Sequence, residues 1–304
     1  MEASPVPTCY RHPDRETYVR CTRCDRPICP DCMSEASVGY QCPSCVAEGR
    51  STQRQARGWF GGGLSGQQGY VTMAIIGLNV AVFLISILVS KGQAIGGSLF
   101  GGSTVLHEWG GMAGPNVALT APCGDEMCYT GETAPGMYNG GLWRLVTPMF
   151  LHYGPLHLLL NMWAVWVLGR NLEYALGPLR FAALYLLAGM GGNVAALLFQ
   201  PNAPTAGAST AIFGLFGAIF LVLRKLGRST SAILPVLIVN VVITFVGARY
   251  ISVAGHMGGL VIGAAVAAGL VYAPAKQRTA VQVAVVAGMT LFLLALTAFA
   301  IVTH

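Results

Sequence analysis

The sequence predicts an all-helical, polytopic membrane bundle preceded by a small cysteine-rich domain. Three observations predict it. Of 304 residues, 54% are apolar and only 10% are charged, whereas a soluble domain carries about 25% charged residues. Long apolar runs fill residues 72–302, and seven of the nine cysteines lie in residues 1–57, with much of the charge. So few charges cannot wet the surface of a globule this size, so apolar surface must face lipid. The net charge of +6 reads as membrane topology, because the cations flank apolar segments. The lipid bilayer is therefore an expected partner and nucleic acid is not.

Residues 1–48 make the first domain. They hold four ligand pairs at one spacing: Cys9/His12, Cys21/Cys24, Cys29/Cys32 and Cys42/Cys45. A two-residue gap lets both side chains of a pair reach one tetrahedral zinc, and eight ligands fit two structural Zn2+ ions. A disulfide scaffold is the alternative, and it conflicts with the reducing cytosol in which the topology below places this segment. A polar segment of about 50 residues also needs a staple to fold. Complete ligand sets leave no open coordination position, so the metal is structural and catalysis is expected to need no cofactor. Spacing alone permits sequential or interleaved pairing. The domain is expected to have a protein partner of unknown identity.

Residues 49–70, rich in Gly, Gln and Arg, read as a flexible linker. The first 30 residues lack an apolar core with a cleavage site, so no secretory signal is expected and the first membrane segment directs insertion. Spanning hydrocarbon takes about 20 mostly apolar residues. Seven candidates follow, at about 71–90, 153–170, 179–199, 208–223, 231–247, 251–272 and 281–302, the fourth and fifth being short. Residues 91–152 form a long Gly-rich loop in which Cys123 and Cys128 are either a small disulfide or two free thiols.

Orientation follows from the cations. With the N-terminus cytoplasmic, the inside connections carry Arg50, Arg54, Arg57, Arg170, Arg180, Arg224, Lys225, Arg228, Lys276 and Arg278; the outside ones carry Lys91, Arg144 and Arg249. The expectation is an integral multi-pass plasma-membrane protein, N-terminus inside and C-terminus extracytoplasmic.

Polar side chains inside a bilayer are costly and usually face the bundle interior. His152, His157 and Asn161 on the second segment, Ser209 opening the fourth and His256 on the sixth stand out. These three segments run in the same direction, so His157, Asn161, Ser209 and His256 fall at one level in the outer part of the membrane. His157 and Asn161 share a helix face. Ser209 lies where a loop enters a helix, beside free backbone N–H donors. Gly255, Gly258, Gly259 and Gly263 let the sixth helix approach a neighbour closely. A serine hydroxyl needs a base to act as nucleophile, and histidine suits that role. Neither segment holds an acid, so a Ser–His dyad is expected, with His157 and Asn161 donating to an oxyanion.

These residues resemble the rhomboid family of intramembrane serine proteases over about residues 70–272. The resemblance rests on Leu142-Trp143-Arg144, on His152, His157 and Asn161 in HYGPLHLLLN, on Gly207-Ala208-Ser209, and on Gly255-His256 with Gly259 and Gly263. It implies a rhomboid-like six-helix core at 71–272 with a seventh C-terminal helix in 273–304. It also implies a dyad of Ser209 and His256, an oxyanion hole from His157, Asn161 and the Ser209 N–H, a structural or water-binding His152, and an Arg144–Glu173 pair fixing the first loop. Thr210 stands where the family often has Gly, and Phe213 where many members have a Tyr that stacks on the histidine. The N-terminal region resembles a cross-braced B-box-type zinc finger, which implies Cys9, His12, Cys29 and Cys32 on one zinc and Cys21, Cys24, Cys42 and Cys45 on the other. The implied activity is cleavage of membrane-protein substrates in or near a transmembrane segment. A catalytically inactive, client-binding protein is the alternative. A metalloenzyme or transporter using the histidines lacks an acidic ligand or an HExxH pattern.

Overall fold

The computed structural model of the chain describes residues 6–52, 58–63, 68–90, 93–95, 102–123 and 126–304. Arg54, Arg57 and Lys91 of the charge count, and parts of the expected linker, lie outside the described residues. The chain divides into two compact units, Met1–Ala56 and Arg57–His304.

The first unit is small. It contains a two-residue hairpin, β1 (Ser34–Glu35) with β2 (Tyr40–Gln41), and one helix, α1 (Pro43–Thr52). Its buried cluster is Ile28 and six cysteines, Cys9, Cys21, Cys29, Cys32, Cys42 and Cys45. Its ion pairs, Arg15–Asp31, Arg20–Asp25 and Arg23–Glu48, are exposed and add little. A cluster of sulfurs, not an apolar core, organises this unit.

The second unit is the helical bundle. It begins with α2 (Tyr70–Val89), α4 (Gly154–Ala164), α5 (Arg170–Leu176) and α6 (Pro178–Phe199). It continues with α7 (Ser209–Lys225), α8 (Ile233–Val246), α9 (Val253–Val271) and α10 (Arg278–Val302). A π turn at Val165–Gly169 joins α4 to α5 into one rod. The fold class expected from sequence is therefore met, and the seven apolar segments become helical rods. Four helices are long and apolar enough to cross a membrane by length and composition, and Ile233–Val246 is a shorter apolar one, among the described residues. On α2 the buried residues are Thr72, Asn79, Phe83 and Ser86, a single stripe at helical spacing. Its leucines and isoleucines Leu78, Leu84, Ile85 and Leu88 face outward, as lipid-facing residues must.

The bundle centre is α6, α7 and α9, which pack almost backbone to backbone. A Cβ on Gly263 would lie 2.3 Å from Gly214 Cα, and one on Gly259 would lie 2.0 Å from Thr210 O. Small residues permit this approach, and interhelical dispersion rewards it. Phe181, Leu184, Leu215 and Val266 are fully buried around the contact.

Three findings add to or depart from the sequence expectations. The loop between α2 and α4 is structured. Among the described residues it holds a 3-10 turn at Gln93–Ile95, α3 (Val105–Gly110), a hairpin of β3 (Val117–Cys123) with β4 (Glu126–Ala134), and three further 3-10 turns ending at Phe150. Cys123 and Cys128 are bonded to each other on this hairpin. The implied Arg144–Glu173 pair does not form. Arg144 is fully buried and donates to the carbonyls of Pro135, Gly111 and Glu108, tying the loop by its backbone. Glu173 is equally buried, but its carboxylate accepts from Val71 N, Thr72 N and Thr72 Oγ1 at 3.0, 2.8 and 2.7 Å. It caps the N-terminus of α2, where the free N–H groups and the helix dipole favour an anion. In the stretch expected as linker, Phe60 is buried and its carbonyl accepts from Gln282 Nε2 on α10.

Candidate active site

Ser209 is the first residue of α7 and His256 the fourth of α9. The glycine contacts bring these helix starts together, and Ser209 Oγ lies 2.8 Å from His256 Nε2. The His256 ring stacks on Phe213, one turn beyond Ser209, with centroids 4.1 Å apart and planes 19° apart. The aromatic position that departs from Tyr thus still holds a ring against the imidazole. On its other edge His256 Nδ1 lies 2.8 Å from Thr244 Oγ1 of α8.

His157 approaches from α4. Its Nδ1 accepts the backbone N–H of Tyr153 at 3.2 Å, so Nε2 carries the proton and is the free donor. That donor edge faces Gly207: a Cβ there would sit 3.0 Å from His157 Nε2 and 3.4 Å from Ser209 Oγ. Gly207 has φ +135° and donates its N–H to Pro148 O at 2.8 Å. The imidazole edge and the serine hydroxyl therefore converge on one point beside the start of α7. Asn161 is buried one turn along from His157, and its Nδ2 donates to the His157 carbonyl at 2.8 Å. The amide has a second N–H to offer.

His152 is buried, its ring 5.1 Å from that of His157. Both its ring nitrogens, and Nε2 of His107, are buried without a hydrogen-bond partner among the described residues. His107 stacks on Tyr153 at 4.4 Å, so α3 brings the loop onto the same cluster.

Sequence reasoning overlooked His107, Tyr153 and Thr244. Thr244 left one usable signal: with Asn240 it forms a polar i, i+4 pair in the otherwise apolar ILPVLIVNVVITFV. His107 gave none, because its place depends on how the loop folds.

The family model described as Rhomboid domain matches residues 139–273. Over those residues the chain is similar to the rhomboid domain family. Its relatives agree: "Rhomboid protease GluP" of Bacillus subtilis (strain 168) is 40% identical over 140 residues, 43% of this chain and 27% of that protein. "Rhomboid-like protease 3" of Toxoplasma gondii is 37% identical over 139 residues, 43% of this chain and 53% of its own. "Inactive RHOMBOID-like protein 8" of Arabidopsis thaliana is 39% identical over 87 residues, 29% of this chain and 25% of its own. The chain spans about a quarter to a half of the lengths of these relatives. The matched residues 139–273 hold every site residue described above except His107, and the apolar helices make the chain an integral membrane protein.

In the first unit, two groups of side chains could each hold a metal ion. Cys9, His12, Cys29 and Cys32 form one; Cys21, Cys24, Cys42 and Cys45 form the other. The pairing is interleaved. His12 Nδ1 faces the sulfurs of Cys9, Cys29 and Cys32 at 3.9, 3.2 and 3.5 Å, and Cys24 Sγ lies 3.7 Å from Cys42 Sγ. Backbone N–H groups of Cys42 and Cys45 donate to the sulfurs of Cys21 and Cys42. Arg26 Nε donates to Cys24 Sγ at 3.2 Å and holds that thiol below its ordinary range, favouring the thiolate a metal needs.

Proposed function

We propose that this chain is an intramembrane serine endopeptidase that cleaves membrane-protein substrates in or near a transmembrane segment. The observation that carries the reading is the 2.8 Å contact between Ser209 Oγ and His256 Nε2, reached across helices in a rhomboid domain. Ser209 is the nucleophile. Its Oγ attacks the scissile carbonyl carbon while its proton passes to His256 Nε2. The oxyanion that forms lies by the start of α7, where the Ser209 N–H, His157 Nε2–H and the Asn161 amide are the proposed donors. His256 then protonates the leaving amine, and water hydrolyses the acyl-enzyme with the same histidine as base.

The proposed topology keeps the N-terminus cytoplasmic and the active site toward the extracytoplasmic side of the plasma membrane, supported by the cation distribution. Residues 71–272 are the proposed protease core, and 273–304 add the seventh helix. The proposed occupants of the first unit are two structural Zn2+ ions in a B-box-like finger of residues 1–48. With bonds of about 2.3 Å to sulfur and 2.0 Å to nitrogen, a tetrahedral zinc sets ligand edges of roughly 3.5–3.8 Å, close to the distances above. No residue of this finger enters the peptidase step, and its protein partner is part of the proposal only as a class.

The competing reading is a client-binding protein without catalysis, which a relative named inactive brings forward. The intact Ser209–His256 contact weighs against it, since binding a client needs neither group. One experiment separates the two. The purified full chain, reconstituted with a transmembrane substrate, is expected to cleave it and to be labelled by a fluorophosphonate. Ser209→Ala is expected to lose both while keeping the wild-type melting temperature, and His256→Ala to lose cleavage. Equal cleavage by wild type and Ser209→Ala would overturn the protease reading.

A further inference from the structure

We infer that Thr244 of α8 is the positioning residue of His256: its hydroxyl oxygen accepts the Nδ1 proton and so fixes the tautomer in which Nε2 can serve as base. The inference rests on the protease reading above and deepens it.

A threonine hydroxyl has one proton to donate and two lone pairs. Thr244 Oγ1 donates to the carbonyl of Asn240, one turn back, at 2.8 Å. This back-bond is the usual resort of a threonine inside an apolar helix. With that proton committed, the 2.8 Å contact between Thr244 Oγ1 and His256 Nδ1 needs its proton from the ring. Nδ1 is therefore protonated, and in neutral imidazole Nε2 carries the lone pair. Nε2 is the nitrogen 2.8 Å from Ser209 Oγ, so the serine O–H donates to it. Asn240 O, Thr244, His256 and Ser209 form one directed chain whose polarity is set by a helix carbonyl.

Burial makes this contact matter. Thr244 is 1% exposed, and it is the one buried residue of α8. A buried hydroxyl kept in place of an apolar residue costs stability unless it is bonded, and of its two bonds one closes on its own helix and the other reaches His256. Among the described residues, Thr244 Oγ1 is the hydrogen-bond partner of His256 Nδ1. Phe213 covers one face. The ionisable group near it is His157, on α4, whose Nδ1 is occupied by Tyr153 N–H. The buried carboxylates Glu108 and Glu173 are spent on Thr120 and on the start of α2. A neutral hydroxyl thus holds the place that a carboxylate fills in a Ser-His-Asp triad, where the acid orients the imidazole and stabilises the imidazolium.

The test uses the reconstituted full chain with Thr244→Val, which keeps the shape and removes the oxygen, and Thr244→Ser, which restores it. Thr244→Val is expected to lower kcat roughly 10- to 100-fold, the worth of one hydrogen bond to a charged group, with little change in KM. The acid limb of its pH–rate profile should move to lower pH, because the imidazolium has lost an acceptor. Thr244→Ser should recover most of the rate and return the limb. Nitrogen-15 NMR of His256 reads the tautomer without turnover, and should place the proton on Nδ1 in wild type and in Ser209→Ala. Unchanged rate and pH profile in Thr244→Val, equal loss in both variants, or a proton on Nε2 would each overturn the inference. Failure of the protease reading shows separately, as wild-type cleavage that survives Ser209→Ala.

Discussion

At residue 207 the backbone takes φ +135°, a region that side chains with a Cβ rarely adopt. The glycine is needed twice over, because a Cβ would also meet His157 Cε1 at 2.9 Å. Gly207→Ala therefore strains the loop and pushes the imidazole off its line to Ser209. Backbone strain of this kind costs roughly 1–3 kcal/mol. We expect kcat to fall about tenfold to a hundredfold, with fluorophosphonate labelling slowed in parallel and His256 still within reach of Ser209. A Gly207→Ala variant with wild-type kcat would mean that His157 has no part in the reaction. At this scale, Ser209, His157 and His256 were legible because each is a polar residue that an apolar helix tolerates only for a reason. Thr244 was not, because a threonine bonding its own helix has a ready local explanation and only the fold reveals its second partner. The Arg144–Glu173 pairing failed for a related reason. The resemblance implied that pair, yet each ion instead bonds backbone groups.

At the scale of elements, the contact between α7 and α9 decides where Ser209 and His256 stand. Gly214, Gly259 and Gly263 meet with no room for a methyl group. Gly263→Val must separate the helices, which costs about 1–3 kcal/mol as overpacking and draws His256 away from Ser209. The expected result is a melting temperature lowered by several degrees together with loss of cleavage. Gly77→Ala and Gly288→Ala are the matched controls, since nothing lies within 4 Å of a Cβ at either position. Both should stay active and melt no lower than wild type, as replacing a mid-helix glycine gains about 0.5–1 kcal/mol. A Gly263→Val protein as stable and active as these controls would remove the glycine seam from the account. The helices themselves were plain in the sequence because hydrocarbon demands length and apolarity together. The β3–β4 hairpin was not. Its segments, VALTAPC and EMCYTGETA, mix small and polar residues without an alternating pattern, and their partner is set by a register that no local rule supplies.

The whole molecule joins two solutions to the problem of burying a chain. Arg57–His304 buries apolar side chains among helices and turns its remaining apolar surface to lipid. Met1–Ala56 has no such resource: among the described residues its buried apolar set is one isoleucine and six cysteines. Chains below roughly 40–50 residues seldom fold without disulfides or metal, and these sulfurs lie in two tight groups with His12 instead of in bonded pairs. Under the proposed zinc assignment, metal binding supplies the folding free energy of the first unit, and the bundle is expected to stay folded without it. A strong chelator acting on the full-length protein in bilayers is expected to make residues 6–52 susceptible to added protease and to release about two zinc ions per chain. Under the same treatment, fluorophosphonate labelling of Ser209 should persist at its wild-type rate. Readding zinc should restore protection of the first unit. If the chelated protein instead lost labelling while its helices stayed folded, the metal would belong to the peptidase chemistry and the assignment of a purely structural role would fall.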